Sequence, residues 1–265
     1  MFKRYFCSLM NKDIKKMFTH TFNVFSKRRT DVNMKTGTIR QLISVLLILL
    51  CSSISTQVYA GVALGATRVI YPARQKQIQL AVTNNDEKGV FLIQSWLENP
   101  NGQKDNLFVI TPPLFSMQGK KENTLRIIDA TNNKLPQDRE SLFWLNVKAI
   151  PAMDKSKKNE NTLQLAIISR IKFYYRPADL AIAPDKVAEE LRFKPQAGSL
   201  IVINPTPYFA TVTELKMGSV KLDNILVPPF GENSVDVPAN ARGEISFRTI
   251  NDYGALTPAM TGRTQ

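Results

Sequence analysis

Asn161-Thr162-Leu163-Gln164-Leu165-Ala166-Ile167-Ile168-Ser169-Arg170-Ile171-Lys172-Phe173-Tyr174-Tyr175-Arg176 is the stretch on which the fold turns. It runs sixteen residues without Gly or Pro, where a strand of about five or six is usual. Leu163, Leu165 and Ile167 share one face at period two, separated by Thr162, Gln164 and Ala166. The spacing predicts one long β-strand. No charge falls in its first nine residues, and edge-protection rules would forbid such a strand if it lay exposed and unused. Two readings are open: a central core strand, or an edge kept available for the β-structure of a partner.

The chain on either side is also β. Upstream, Val69 to Tyr71, Gln77 to Thr83, Gly89 to Leu97, Phe108 to Ile110, Asn123 to Ile128 and Leu142 to Ile150 read as strands punctuated by Pro, Gly, Asn and Asp. With the sixteen-residue stretch they make seven, at the turn spacing of an immunoglobulin-like sandwich. Trp96 and Trp144 belong to its core or its rim. Downstream, Pro177 and Pro184 bracket a break, and residues 179–184 are expected to form a hinge. A second strand set follows: Ser199 to Ile203, Phe209 to Leu215, Ile225 to Val227, Ser234 to Val237 and Glu244 to Ile250. Helical periodicity is confined to Asp185 to Leu191, two turns at most. The expectation is an all-β chain of two immunoglobulin-like domains, residues 61–178 and 185–265.

Residues 1–60 read as a leader. Met34 to Arg40 is short and basic, Leu42 to Leu50 is almost wholly apolar, and Val58-Tyr59-Ala60 places small residues where a signal peptidase cuts. The signal is expected to occupy residues 34–60 and the mature chain to begin at Gly61. At about 1.5 Å per residue the apolar run reaches only half of a roughly 30 Å hydrocarbon core, so permanent membrane insertion is not expected. Upstream of Met34 the sequence fits either a long basic leader or a start assigned too early.

The leader distorts the composition. The whole chain carries a formal charge of +13, but ten of its 35 Lys and Arg and two of its 22 Asp and Glu precede Gly61. The remainder, 25 basic against 20 acidic residues, has a net charge of only +5, with the signs interspersed, which argues against a nucleic-acid partner. Cys7, Cys51 and His20, the only Cys and His residues, all lie in the leader. The mature residues therefore cannot form a disulfide, a thiol nucleophile, a His-centred triad or a Cys/His zinc site, and nothing in them calls for a cofactor. Ser169-Arg170-Ile171-Lys172 has the Ser-x-x-Lys spacing of β-lactam-acylated enzymes. The Ser-Asp-Asn companion is missing, and Lys35-Thr36-Gly37 lies in the leader. A strand also puts Ser169 and Lys172 on opposite faces, so no enzymatic activity is expected. A secreted structural component or adhesin remains the alternative to a binding protein.

The mature sequence resembles the periplasmic pilus-assembly chaperones, in particular those of type 1 fimbriae. The likeness runs from residue 61 to the C-terminus and is densest at Gly61 to Pro72, Leu80 to Asn85, Gln137 to Trp144, Leu163 to Arg176 and Thr249 to Ala255. It implies two sandwiches set at an angle about a cleft. It implies partners in pilus subunits whose immunoglobulin-like fold is incomplete, and in an outer-membrane usher. Arg68 and Lys172 take the positions that anchor a subunit's C-terminal carboxylate. Leu163, Leu165 and Ile167 take those of the donor strand, and Glu140, Arg176 and Asp252 those of an interdomain charge cluster. The polar loop Asp154 to Glu160 matches one that helps the family recognise its usher. Ile167 and Lys172 are five residues apart, so an ideal strand points them to opposite faces. Either the carboxylate approaches from a side other than the groove, or the strand twists or bulges between Ser169 and Lys172.

Overall fold

The computed structural model describes residues 61–153 and 163–264. The leader, the polar loop 154–160, Asn161 and Thr162 lie outside the described residues.

Two β-sandwiches follow one another along the chain. In the first, one sheet runs in space Val62–Leu64, Gln77–Asn84, Glu122–Asp129 and Phe108–Thr111. The facing sheet runs Arg68–Pro72, Ile167–Arg176, Ser141–Pro151, Phe91–Glu98 and Lys104–Asp105, with Leu114–Met117 also paired to Phe91–Glu98. The N-terminal segment thus serves both sheets, crossing between them at Gly65, where a Cβ would come within 3.1 Å of the Ala81 Cβ. Alternation sends Val69, Tyr71, Leu80, Val82, Leu125, Ile127, Phe143, Leu145, Phe173 and Tyr175 into one core. Its centre is aromatic: Phe108 lies 4.8 Å from Phe173 and 5.3 Å from Tyr71. Trp96 and Trp144 are half-buried and outside this cluster, so the rim reading holds for both.

In the second sandwich, Gly231–Asp236, Ser199–Asn204, Arg192–Gln196 and Arg263–Thr264 form one sheet. Val220–Lys221, Ala210–Met217, Ile245–Thr249 and Met260–Thr261 form the other, with Ile225–Val227 paired to Ala210–Met217. The last strand segments again divide between sheets, around Gly262, whose Cβ would stand 2.7 Å from the Ile245 Cγ2. Helical structure falls where the periodicity placed it, as a 3-10 turn at Pro184–Lys186 and one α-turn at Val187–Glu190. Val187 and Ala188 are buried there. Leu180 and Ile182 pack against this second core, and the Tyr208 hydroxyl donates to the Ile182 carbonyl at 2.7 Å.

The long strand is shorter than its composition predicts. It begins at Ile167, and Leu163 to Ala166 form no strand. Proline explains the start. Ile167 pairs with Ala149, so the same register would set Leu165 opposite Pro151. The Ala152 N–H points to the opposite side, donating to the Val90 carbonyl at 2.8 Å. Pro151 therefore turns its polar edge towards residues 163–166, where it offers a carbonyl and no N–H. That carbonyl is taken by the Gln164 side chain instead of a ladder bond.

Candidate functional site

The first sandwich supplies a pair of adjacent cations. Arg68–Pro72 runs parallel to Ile167–Arg176, and Lys172 is the register partner of Arg68. Register partners share a face, so the ladder itself sets the two side chains beside each other. Both reach the second domain: Arg68 Nη1 donates to the Ile250 carbonyl at 3.1 Å, and Lys172 Nζ to Thr211 Oγ1 at 3.1 Å. Among the described residues neither has an acidic partner. Burial, helped by the Arg68 charge, pushes the Lys172 ammonium down to about 8. Two neighbouring, partly desolvated cations with neutral contacts only are electrostatically unsatisfied, and a carboxylate is the group that fits them through charge-assisted hydrogen bonds.

Arg68 borders a cavity of about 460 Å³ between the sandwiches, and Lys172 reaches Thr211 on its wall. The first domain contributes Arg68, Ile70, Tyr174 and Arg176, and the second contributes its helical turn, Tyr208 to Thr211 and Thr249 to Tyr253. Arg176 and Asp252 close one side, and Glu140 is bound to Arg176. Arg176 Nε donates to Glu140 at 2.8 Å, while its Nη1 and Nη2 hold both Asp252 oxygens at 2.7 Å. The second Glu140 oxygen accepts the Phe209 N–H at 2.8 Å, and the Glu140 N–H donates to the Pro207 carbonyl. Burial raises the Glu140 carboxyl above its ordinary range and the Arg176 charge opposes that rise. Arg176, the hub, is pushed up by Asp252 and Glu140 against its own burial. The three residues predicted as a cluster therefore form one network across the domain boundary.

The predicted donor residues stand in the open. Leu163 is 85% exposed, Leu165 67% and Ile167 66%. From Ile167 to Tyr175 the pairing with Ser141–Pro151 is unbroken, which excludes a bulge between Ser169 and Lys172. Ile167 therefore shares the face of Ile171 and Phe173, which belong to the core, whereas Lys172 lies on the other face with Tyr174 and Arg176. Arg68–Pro72 covers the strand only from Lys172 onward. Among the described residues, Ile167 to Ile171 keep a free backbone edge on that side. The free edge, Ile167 and Lys172 thus lie along one strand, with Arg68 beside Lys172 on the neighbouring strand and Leu165 and Leu163 on the segment that leads into it.

Sequence reasoning missed the second domain's share of the cleft: Thr211, the Ile250 carbonyl and the Phe209 N–H. Period-two parity alone could have found Tyr174, two residues beyond Lys172 on the same face. The others depend on pairing over more than thirty residues, for which the sequence carries no local signal.

Residues 61–181 match the family described as pili and flagellar-assembly chaperone, PapD N-terminal domain. Residues 186–261 match that of the pili assembly chaperone PapD, C-terminal domain. The chain belongs to the pilus-assembly chaperones. Within this family it is 67% identical over 221 residues to the chaperone protein FimC of Escherichia coli K12, covering 83% of this chain and 92% of that one. It is 64% identical over 207 residues to FocC of Escherichia coli, covering 78% and 91%. The crystal structure of the periplasmic chaperone SfaE superposes with a TM-score of 0.69 at 60% identity, over 77% of this chain and all of that one. The Salmonella enterica chaperone SafB, solved in complex with the SafA pilin, gives a TM-score of 0.69 at 31% identity, over 78% and 97%.

Proposed function

We propose that the chain from Gly61 onward works in the periplasm as a chaperone that binds, folds and caps pilus subunits by donor-strand complementation and passes them to the outer-membrane usher. The observation that carries this reading is the exposed row Leu163, Leu165 and Ile167 leading into the strand that bears Lys172, which Arg68 joins from the neighbouring strand in a cationic pair without an acidic partner among the described residues. A subunit lacking its last strand has an apolar groove and unpaired backbone groups, both costly in water. The row fills the groove and the free edge supplies the hydrogen bonds. Three well-buried Leu or Ile side chains contribute about 4 to 9 kcal/mol before ordering costs. Arg68 and Lys172 hold the subunit's terminal carboxylate and so fix the register, since a slip of one residue turns the apolar face out of the groove. The Glu140–Arg176–Asp252 network sets the angle of the two domains, and residues 179–184 form the hinge between them. Residues 34–60 direct export and are removed.

Co-expression with a pilus subunit in the periplasm tests both parts. Lys172→Ala or Arg68→Ala is expected to abolish recovery of the subunit complex, and recovery at the wild-type level would remove the anchor. Leu165→Asp is expected to abolish the complex while the chaperone itself melts as wild type, because that side chain is exposed. A stable complex with this variant would remove the donor strand.

A further inference from the structure

The Tyr174 hydroxyl has no part in the fold. The residue is 2% exposed and its ring is held against Phe209, centroids 5.6 Å apart. Yet the hydroxyl is buried without a hydrogen bond of acceptable geometry, with the Thr211 side chain close beside it. Phenylalanine would pack as well and would avoid the penalty of an orphaned polar group. A second orphan lies at the same place: the Nε of Arg68 is also buried without a partner. Both residues line the interdomain cavity. An unpaired hydroxyl and an unpaired guanidinium N–H bordering one cavity lack the same thing, an acceptor.

We propose that the Tyr174 hydroxyl is a third ligand of the subunit's C-terminal carboxylate, donating to it beside Arg68 and Lys172. The proposal rests on the anchor reading and adds a residue to it. The ladder gives the geometry: Tyr174 lies two residues beyond Lys172 on the same face, and its register partner Ile70 lies two beyond Arg68. The three donors thus border one patch, fixed by two paired strands. A carboxylate has about four acceptor sites, and an ammonium, a guanidinium N–H and a phenol fill three of them. Burial pushes the phenol up to about 12, so it keeps its proton. Thr211, which accepts from Lys172, completes the wall behind the site. The part played by Tyr174 is positional as well as attractive: its ring is clamped by Phe209, so the hydroxyl needs no ordering when the carboxylate arrives.

The test uses the whole mature chaperone and a synthetic peptide copying the C-terminal strand of a co-purified pilus subunit, made once with a free carboxylate and once as the amide. Tyr174→Phe is expected to weaken binding of the acid by about tenfold or more, the usual worth of one hydrogen bond to a charged group, and to leave the amide unchanged. The free variant should melt at or above the wild-type temperature, because it loses no folded-state hydrogen bond. Equal weakening of acid and amide would assign Tyr174 to packing and overturn the proposal. So would undiminished binding of the acid in a preparation where Lys172→Ala loses it, and in both cases the anchor would stand. Equal binding of acid and amide by the wild-type protein would instead remove the anchor reading, and this proposal with it.

Discussion

Replacing Arg176 by Met should expose how the domain boundary is held. Arg176 joins Glu140 and Asp252, and the two carboxylates differ in what its loss costs. The side chain of Asp252 is 35% exposed, so it rehydrates and its share is small. Glu140 is 4% exposed and would keep one donor, the Phe209 N–H at 2.8 Å. Breaking a buried pair by removing one partner costs about 3 to 5 kcal/mol, most of it the uncompensated charge left behind. With the Asp252 half discounted, a loss of about 3 kcal/mol at neutral pH is expected. The pH dependence is the sharper test. The folded Glu140 carboxyl is already raised above its unfolded value of 4.5 by burial, and Arg176 is the largest influence holding it down. Without Arg176 it rises further. A carboxyl raised on folding binds more protons in the native state, so its contribution to stability falls as pH rises from 4.5 through the folded value, and recovers on acidification. Urea unfolding of Arg176→Met should therefore show a larger deficit against wild type at pH 7.5 than at pH 5. Adding Glu140→Gln should restore much of the loss at pH 7.5. A deficit that is constant with pH, or that grows on acidification, would refute the reasoning, as would a double variant no more stable than the single one.

Lys172 gives a second pH dependence, read in binding. Its folded ammonium sits near 8 and a bound carboxylate lifts it, so affinity for a free-acid peptide should fall by up to about tenfold per pH unit above 8. Titration calorimetry at pH 7 and pH 9.5 checks this, and Lys172→Arg, which stays charged, should flatten the profile. In the free protein the same depression makes this group's contribution to stability rise between pH 8 and 10.5. In the second domain, Asn204 is fully buried. It donates to the Tyr208 and Pro228 carbonyls at 2.7 and 3.0 Å and accepts from the Thr206 N–H and hydroxyl at 3.1 and 2.7 Å. Asn204→Ala takes a hydrogen-bond partner from all four groups and is expected to cost about 2 to 4 kcal/mol in thermal or urea unfolding. A loss below about 1 kcal/mol would mean that water replaces the side chain.

Strands long enough to show a period were legible in the sequence, and those too short to show one were not. Gln77–Asn84 alternates over its eight residues, and Ser141–Pro151 keeps Phe143, Leu145, Val147 and Ala149 buried at period two. Lys104–Asp105, Val220–Lys221, Met260–Thr261 and Arg263–Thr264 have two residues each and exist only because a neighbouring strand presents an edge. Arg192–Gln196 was hidden by Pro195, which reads as a breaker. It is tolerated because Arg263–Thr264 covers only Arg192 and Phe193, leaving Pro195 with a partner on one side. In the site, the apolar row was visible from parity, whereas the neighbourhood of Arg68 and Lys172 was not, because a parallel pairing across about a hundred residues leaves no local trace. The resemblance to a family supplied that pairing in advance, and the ladder supplies its cause.

One strand serves two faces, and this resolves the odd spacing of Ile167 and Lys172. On the inner face, Tyr175, Phe173 and Ile171 pack in the first core, and Ile167, opposite the buried Ala149, carries the same row outward. Leu165 and Leu163 extend it past the point where the sheet ends. The exposed apolar row is thus a continuation of the domain's own core. On the outer face, Lys172, Tyr174 and Arg176 turn towards the second domain and build the cleft. Because the ladder between them has no bulge, Lys172 and Ile167 are fixed relative to each other: they are five residues apart, about 17 Å at strand rise. Pro151 completes the arrangement. By withholding an N–H opposite Leu165 it keeps residues 163–166 from being consumed by the protein's own sheet, so their apolar side chains and backbone groups stay available to another chain.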